Sequence, residues 1–333
     1  MQPRALGTTG KTLPAIGLGC MGLSEFYGPP TEQKAAIKLL HEAIELGVEH
    51  FDTAEMYGIG STNESLLGEA FNDRRDKVFI ATKFGPIRDP DTGEFTGIDG
   101  SQDNCRRAVE GSLKRLQTDV IDLYYLHLVD PATPIEETVA AMAELVAAGK
   151  VRAIGLSEAS GETIRRASKI HPIAAVQSEY SIFSRDIEAT VIPACIEVGA
   201  TLVAYSPLGR GMLSGRFREE SVGEGDFRSF TPRFQGDAFT ANVELVDEIE
   251  LMVQDSPDRE VEASAIGERI MLRLKTLDKV AYVRFASVYR EVKDVTQFLD
   301  ELKPMLEKRR EGGHEAAAGE VVHLVIELLV IGY

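Results

Sequence analysis

Tryptophan is absent from this 333-residue chain, and cysteine is nearly so. Cys20, Cys105 and Cys195 are odd in number and far apart, so they suggest neither a disulfide framework nor a metal cluster. Buried free thiols are the expected state. No apolar run is long enough to cross a bilayer, and Val321–Ile331 falls short of one. The start, Met-Gln-Pro-Arg-Ala-Leu-Gly, lacks the apolar core of a secretory signal, so the expected location is cytoplasmic. Excess positive charge is missing too. Against 53 Asp and Glu stand 36 Lys and Arg, a net charge of −17, and neither 1–250 nor 251–333 is basic. That balance argues against general affinity for DNA or for an anionic membrane.

What the chain has is alternation. A polar turn within Leu6–Leu13 reads as a small hairpin, and Ala15–Gly19 as a short buried strand. A helical pattern follows from Thr31, a plausible N-cap, to about Leu46, with Gly47 as its stop. Apolar strands are then expected at Val48–Asp52, Val78–Lys83, Ile121–His127, Val151–Leu156, Ala174–Gln177 and Thr201–Tyr205. Helices are expected between them at about 62–71, 101–116, 134–148, 161–168 and 186–198. Strands separated by single helices demand a parallel sheet covered on both faces. No Gly-x-Gly-x-x-Gly follows the first strand, and no acidic residue is placed for a ribose, which counts against an open doubly wound sheet. A closed TIM (β/α)8-type barrel is the better reading, but it needs an eighth strand. None is evident after the helix that begins near Asn242.

Ionisable groups close three consecutive strands: Asp52, Lys83 and His127, with Tyr57 on the turn after the first of them. In a barrel these positions share the rim where catalysis is found. They are either rim ion pairs or a proton-transfer site. For the second role, a phenol needs a nearby ammonium to lower its pKa, a carboxylate to hold that ammonium, and a histidine to orient a carbonyl. Nothing here is a good nucleophile or a metal site, so the missing partner is a hydride donor. Ser157 either caps the following helix or belongs to the site. Gln177 is either a satisfied strand-end amide or a ligand contact. The loop Ser206–Gly211 is either an ordinary turn or a cradle. His41, His50 and His171 show no partner pattern, and Arg216–Gln235 reads as a mobile loop.

Gly19-Cys-Met-Gly22, Phe51-Asp-Thr-Ala-Glu-Met-Tyr-Gly58, Ala81-Thr-Lys83, Asp122-Leu-Tyr-Tyr-Leu-His127, Gly155-Leu-Ser157 and Tyr205-Ser-Pro-Leu-Gly-Arg-Gly211 resemble the aldo-keto reductases, in order and spacing, across roughly 1–248. The resemblance implies a TIM barrel that reduces an aldehyde or ketone with NADPH. It casts Tyr57 as general acid, Lys83 and Asp52 as its tuners, and His127 as the carbonyl orienter. It also implies that Ser157 and Gln177 hold the nicotinamide carboxamide, that Tyr205 stacks on the ring, and that Ser206, Leu208 and Gly209 line the pyrophosphate. The family commonly has asparagine where this chain has Glu158, and a carboxylate cannot donate that amide's hydrogen bond.

After about Asp247 this resemblance stops, and the eighth βα unit that would bind the adenosine 2′-phosphate is not readable. Asp258–Gly267 and Leu277–Arg290 instead resemble the C-terminal half of the ATP-cone of NrdR-type ribonucleotide-reductase repressors, over about 248–305. That family's zinc ribbon has no counterpart here, so DNA binding is not implied. The expected organisation is a barrel over 1–247, a mainly helical appendage over 248–305 that offers a surface for oligomerisation, and an unassigned tail over 306–333. A natural fusion, an engineered chimera and an assembly artefact would all give this pattern. The alternative functions are a chimeric or truncated barrel that binds nucleotide weakly without turnover, and a regulator-like nucleotide-responsive module.

Overall fold

In the computed structural model, the described residues are 2–217, 222–223, 225–255, 268 and 272. The chain divides into two compact units, 1–252 and 253–333. The ATP-cone resemblance over Asp258–Gly267 and Leu277–Arg290 lies outside the described residues, save Glu268 and Leu272 beside it, and so does the tail from 306.

The first unit opens with an antiparallel hairpin of β1 (Pro3–Ala5) and β2 (Thr12–Pro14). Seven strands then follow in one parallel sheet. They are β3 (Leu18–Gly19), β4 (His50–Asp52), β5 (Phe79–Phe84), β8 (Ile121–Leu126), β9 (Val151–Ser157), β10 (Ala175–Glu179) and β11 (Thr201–Tyr205). Each lies beside its predecessor in this series, as a barrel built from successive right-handed crossovers requires. The crossovers carry α1 (Gln33–Glu45), α2 (Thr62–Phe71), α3 (Gln102–Arg115), α4 (Ile135–Ala147), α5 (Gly161–Ser168) and α6 (Val191–Val198), and α7 (Gly236–Asp255) follows the last strand. The expected α/β barrel is thus present as a nearly closed seven-stranded sheet, with β3 and β11 each having one neighbour among the described residues.

Element boundaries follow local chemistry. Glu32, rather than the expected Thr31, caps α1 by accepting the Ala35 amide, and Ser101 caps α3 through Asn104. Ser160 caps α5, so Ser157 is released from the capping role and ends β9 instead. Between β5 and α3 the chain inserts an antiparallel ribbon of β6 (Pro86–Arg88) and β7 (Phe95–Ile98) that sequence reading does not anticipate. Its proline and glycines disguise it as a loop.

Side chains alternate across the sheet with the period of two that a strand imposes. Phe51, Ile80, Phe84, Tyr124, Ile154 and Val176 face the helices and form the main core. The barrel interior is a second cluster of Phe79, Ala81, Leu123, Tyr125, Ala153 and Ala175, plugged from the hairpin by Leu6 and Leu13. Small residues here make room for large polar ones. At Gly155, paired in register with both Tyr125 and Ala175, a Cβ would lie 2.5 Å from Tyr125 Cε1 and 2.7 Å from the Ala175 carbonyl oxygen. Backbone cannot retreat cheaply from such a clash. Gly155→Ala should therefore cost about 1–3 kcal/mol, read as a lowered midpoint in urea denaturation with an unchanged slope.

Candidate active site

At the carboxyl ends of β4, β5 and β8 the three expected ionisable residues converge. Asp52 pairs with Ala81 in register, and Lys83, two residues further along β5 and on the same face, extends its ammonium into the barrel. That ammonium has no solvent exposure. It donates to Asp52 Oδ1 and to the Thr53 carbonyl oxygen (2.8 Å), so the buried charge has a counter-charge and a second acceptor. Its Nζ stands 5.1 Å from the centre of the Tyr57 ring. The ring of His127 meets Tyr57 edge-on, with centroids 5.6 Å apart and planes at 86°. Asp52, Tyr57, Lys83 and His127 are thus one cluster, as their sequence positions suggest.

Electrostatics set the protonation states. Burial pulls the Lys83 ammonium down, but Asp52 and the Tyr57 phenol outweigh it and hold its pKa above the ordinary lysine value. Burial raises the Tyr57 phenol, and the opposing pull of Lys83 only moderates that rise, so the net shift is upward. This corrects the sequence expectation of a lowered phenol pKa. The neighbouring ammonium acts in the expected direction, but desolvation wins. Burial, and then Lys83, push the His127 imidazole well below its usual range, so it is neutral at pH 7. Its Nδ1 is sealed from solvent without a hydrogen-bond partner, so any ligand contact falls to Nε2.

The groups expected to hold a cofactor lie on the next three strands. Ser157, 2% exposed, pairs in register with Gln177. Gln177 donates from Nε2 to the second oxygen of Asp52 (2.8 Å), which ties the expected cofactor wall to the ionisable cluster. Tyr205 ends β11, opposite Glu179. After it the backbone passes through the left-handed region at Ser206 (φ 51°), Gly209 (59°), Arg210 (58°) and Gly211 (93°). Tightly turned backbone of this kind can present successive amides to an anion. Leu208 is exposed and Gly209 is pressed against the ring of Phe183. Asp52, Gln177, Tyr205 and Ser206 all line a cavity of about 640 Å3 that runs between the edges of β3 and β11. A larger cavity, about 710 Å3, opens at the opposite end of the strands. There Asp122 is paired with Arg75 and Arg152, and none of Asp52, Tyr57, Lys83 and His127 is among the lining residues.

Sequence reasoning missed the residues that immobilise Tyr57. Asn63, fully buried, bonds Thr53, the Cys20 carbonyl and Ser24, and its amide donates to the Tyr57 carbonyl (3.2 Å). Glu25 accepts the Gly58 amide (2.9 Å) and pairs with Arg88 (2.5 Å), which also donates to the Met56 carbonyl (2.6 Å). Asn63, Glu25 and Arg88 come from α2, from the loop after β3 and from β6, so no local motif announces them. His50 is buried beneath Asp52, edge-on to Phe79, and His41 bonds the Ala70 carbonyl. The three cysteines are buried free thiols.

The described part of Arg216–Gln235, read from the sequence as a mobile loop, makes specific contacts with the rest of the unit. Buried Arg228 grips Asp226, donates to the Arg210 carbonyl and lies against Tyr27 and Phe217. The Phe227 amide donates to the Phe26 carbonyl (2.8 Å), linking this segment to the loop after β3. No group of side chains among the described residues could hold a metal ion, and no described helix is long and apolar enough to cross a membrane.

Comparison with known proteins places this geometry. The yakc aldo-keto reductase (NADP(+)) of Schizosaccharomyces pombe is 47% identical over 245 residues, which cover 72% of this chain and 71% of that protein. Among solved structures, the glycerol dehydrogenase AKR11B4 from Gluconobacter oxydans superposes with a TM-score of 0.69 at 25% identity, over 92% of this chain and 95% of its own. An aldo-keto reductase from Klebsiella pneumoniae in complex with NADPH gives 0.54 at 31% identity, over 66% and 72%. The model of the Aldo/keto reductase family matches residues 15–267, past Asp247 and over the Asp258–Gly267 segment. The chain belongs to the aldo/keto reductase family of oxidoreductases.

Proposed function

We propose that this protein reduces an aldehyde or ketone to an alcohol, with NADPH as the reductant and Tyr57 as the general acid. The observation that carries the reading is the Lys83 ammonium, fully buried between Asp52 and the Tyr57 ring, with neutral His127 against the same ring. The designation of the yakc relative as NADP(+)-linked and the NADPH complex of the Klebsiella protein support the choice of cofactor.

Bound NADPH supplies the hydride. Ser157 and Gln177, paired in register, would hold its carboxamide, Tyr205 would offer an aromatic face, and the loop of Ser206, Leu208 and Gly209, left-handed at Ser206 and Gly209, would line its pyrophosphate. Tyr57, a phenol whose pKa burial raises further above neutrality, keeps its proton at pH 7. It gives up that proton as charge develops on the carbonyl oxygen, when the Lys83 ammonium stabilises the phenolate left behind. Asp52 holds Lys83 in place and keeps it charged. His127, neutral, acts as a hydrogen-bond donor that orients the carbonyl rather than as an acid. The substrate is a small carbonyl compound, and a cytoplasmic setting with no DNA partner remains the proposal.

Tyr57→Phe removes one oxygen from a well-packed ring. Carbonyl-dependent NADPH oxidation should fall by about 10²–10⁴-fold, while NADPH still quenches or enhances fluorescence in a binding titration. A variant that keeps more than a tenth of wild-type turnover would overturn the role of Tyr57. Lys83→Met leaves Asp52 uncompensated, so turnover should fall as far and the melting temperature should drop as well. The pH profile follows from the direction of the phenol shift. Reduction should stay level from neutrality to about pH 10 and fall beyond it as the phenol ionises, with alcohol oxidation rising over the same range. A break in the reduction profile near pH 7 would assign the proton to another group.

A further inference from the structure

Around the mouth of the barrel, carboxylates come with cations. Asp52 holds Lys83, Glu25 holds Arg88, Glu55 is reached by Arg107 and Arg115, and Glu179 by Arg210 and Arg233. Glu158 departs from this pattern. It follows Ser157 at the end of β9, is exposed, and has no ion-pair partner among the described residues.

Its position is nevertheless specified. The backbone of Glu158 sits in the left-handed region at φ 52°, which is unfavourable for a side chain of this kind. Its amide donates to the Gln177 carbonyl (2.9 Å), and its Oε1 accepts the Glu179 amide (3.1 Å). Burial first, and then the charge of the same carboxylate, raise the Tyr205 phenol above its ordinary pKa. Hydrogen bonds between β9 and β10 therefore hold a carboxylate with no ion-pair partner among the described residues beside Ser157, Gln177 and Tyr205. Arg210 approaches the Tyr205 ring at 5.7 Å, but its guanidinium is engaged by Glu179 at 2.8 Å.

We propose that Glu158 discriminates between the two oxidation states of the cofactor, binding the oxidised nicotinamide more tightly than the reduced one. This rests on the reading that Ser157, Gln177 and Tyr205 hold that ring. Hydride loss turns a neutral ring into a cation, while the carbonyl carbon gains the hydride and the oxygen takes the proton of Tyr57. Glu158 is the carboxylate at that wall still available to a positive charge. By attracting the product form, it favours hydride leaving over hydride returning. A single exposed carboxylate acting through solvent is worth about three- to fivefold in affinity.

The test is calorimetric titration of the full chain with NADP+ and NADPH at low ionic strength, for wild type, Glu158→Gln and Tyr205→Phe. Glu158→Gln should lose about three- to fivefold in NADP+ affinity and leave NADPH affinity within about twofold. Tyr205→Phe removes the phenol but keeps the carboxylate, so it should retain the wild-type preference. Equal losses for both forms in Glu158→Gln, no change in either, or loss of the preference in Tyr205→Phe would each overturn the inference. If wild type binds neither form, the functional reading itself falls and this inference with it. The two failures are therefore distinguishable.

Discussion

An ammonium group with no solvent exposure sits inside the barrel at Lys83, and much of the surrounding structure can be read as what makes that tolerable. A lone charge moved from water into a protein interior costs several kcal/mol, and only a close counter-charge with further hydrogen bonds offsets it. Asp52 and the Thr53 carbonyl supply both, which requires β4 and β5 to stay in register. The outer face of β5 is pinned for the same purpose. Thr82, adjacent to Lys83 and pointing the other way, donates to buried Glu64 (2.6 Å), which in turn pairs with Arg115 (2.7 Å). One strand is thus locked from both sides, with α2 and the end of α3 fastened to its back.

The same burial decides the chemistry. In water a phenol beside an ammonium would be the more acidic for it, but here desolvation opposes that pull and prevails. The outcome is a tyrosine that arrives protonated with a fixed cation next to it, suited to donating a proton to an oxygen that is becoming an anion. His127 is driven neutral by the same two causes, burial and Lys83. A barrel interior lined by Ala81, Ala153, Gly155 and Ala175 leaves space for these polar groups without adding polar competitors.

How much of this was legible depended on the range of the interaction concerned. Asp52, Lys83 and His127 could be placed at one rim because strand ends are announced locally, by apolar runs that stop at an ionisable residue. Ser157 and Ser160 are both plausible caps by sequence, and only the structure shows that Ser160 is the cap, a choice between two nearby serines that propensity cannot make. The ribbon of β6 and β7 was hidden by its own turn-forming residues. Residue types alone give the wrong sign for the Tyr57 shift, because they show a pairwise attraction, whereas the desolvation that outweighs it depends on the packing of the whole site. Asn63, Glu25 and Arg88 are invisible for a related reason: Glu25 and Arg88 act across 32 to 63 residues of chain, and Asn63 reaches back 39 and 43 residues to Ser24 and Cys20.

Those long-range braces explain how a turn can serve where a strand would be safer. Tyr57 lies beyond the end of β4, on backbone that no ladder supports. Its neighbours are instead held one by one: the Met56 carbonyl by Arg88, the Tyr57 carbonyl by the Asn63 amide, and the Gly58 amide by Glu25. Arg88 belongs to the inserted ribbon, and its guanidinium also lies 5.8 Å from the ring of Phe26, which in turn meets Tyr57 edge-on at 6.2 Å. The ribbon and the loop after β3 are therefore both walls of the approach to the site and supports of its acid. Surface loops ordinarily vary freely because nothing internal depends on them. Here changes that reshape the approach are constrained by the Glu25–Arg88 pair, since moving it would release the turn that aims the phenol.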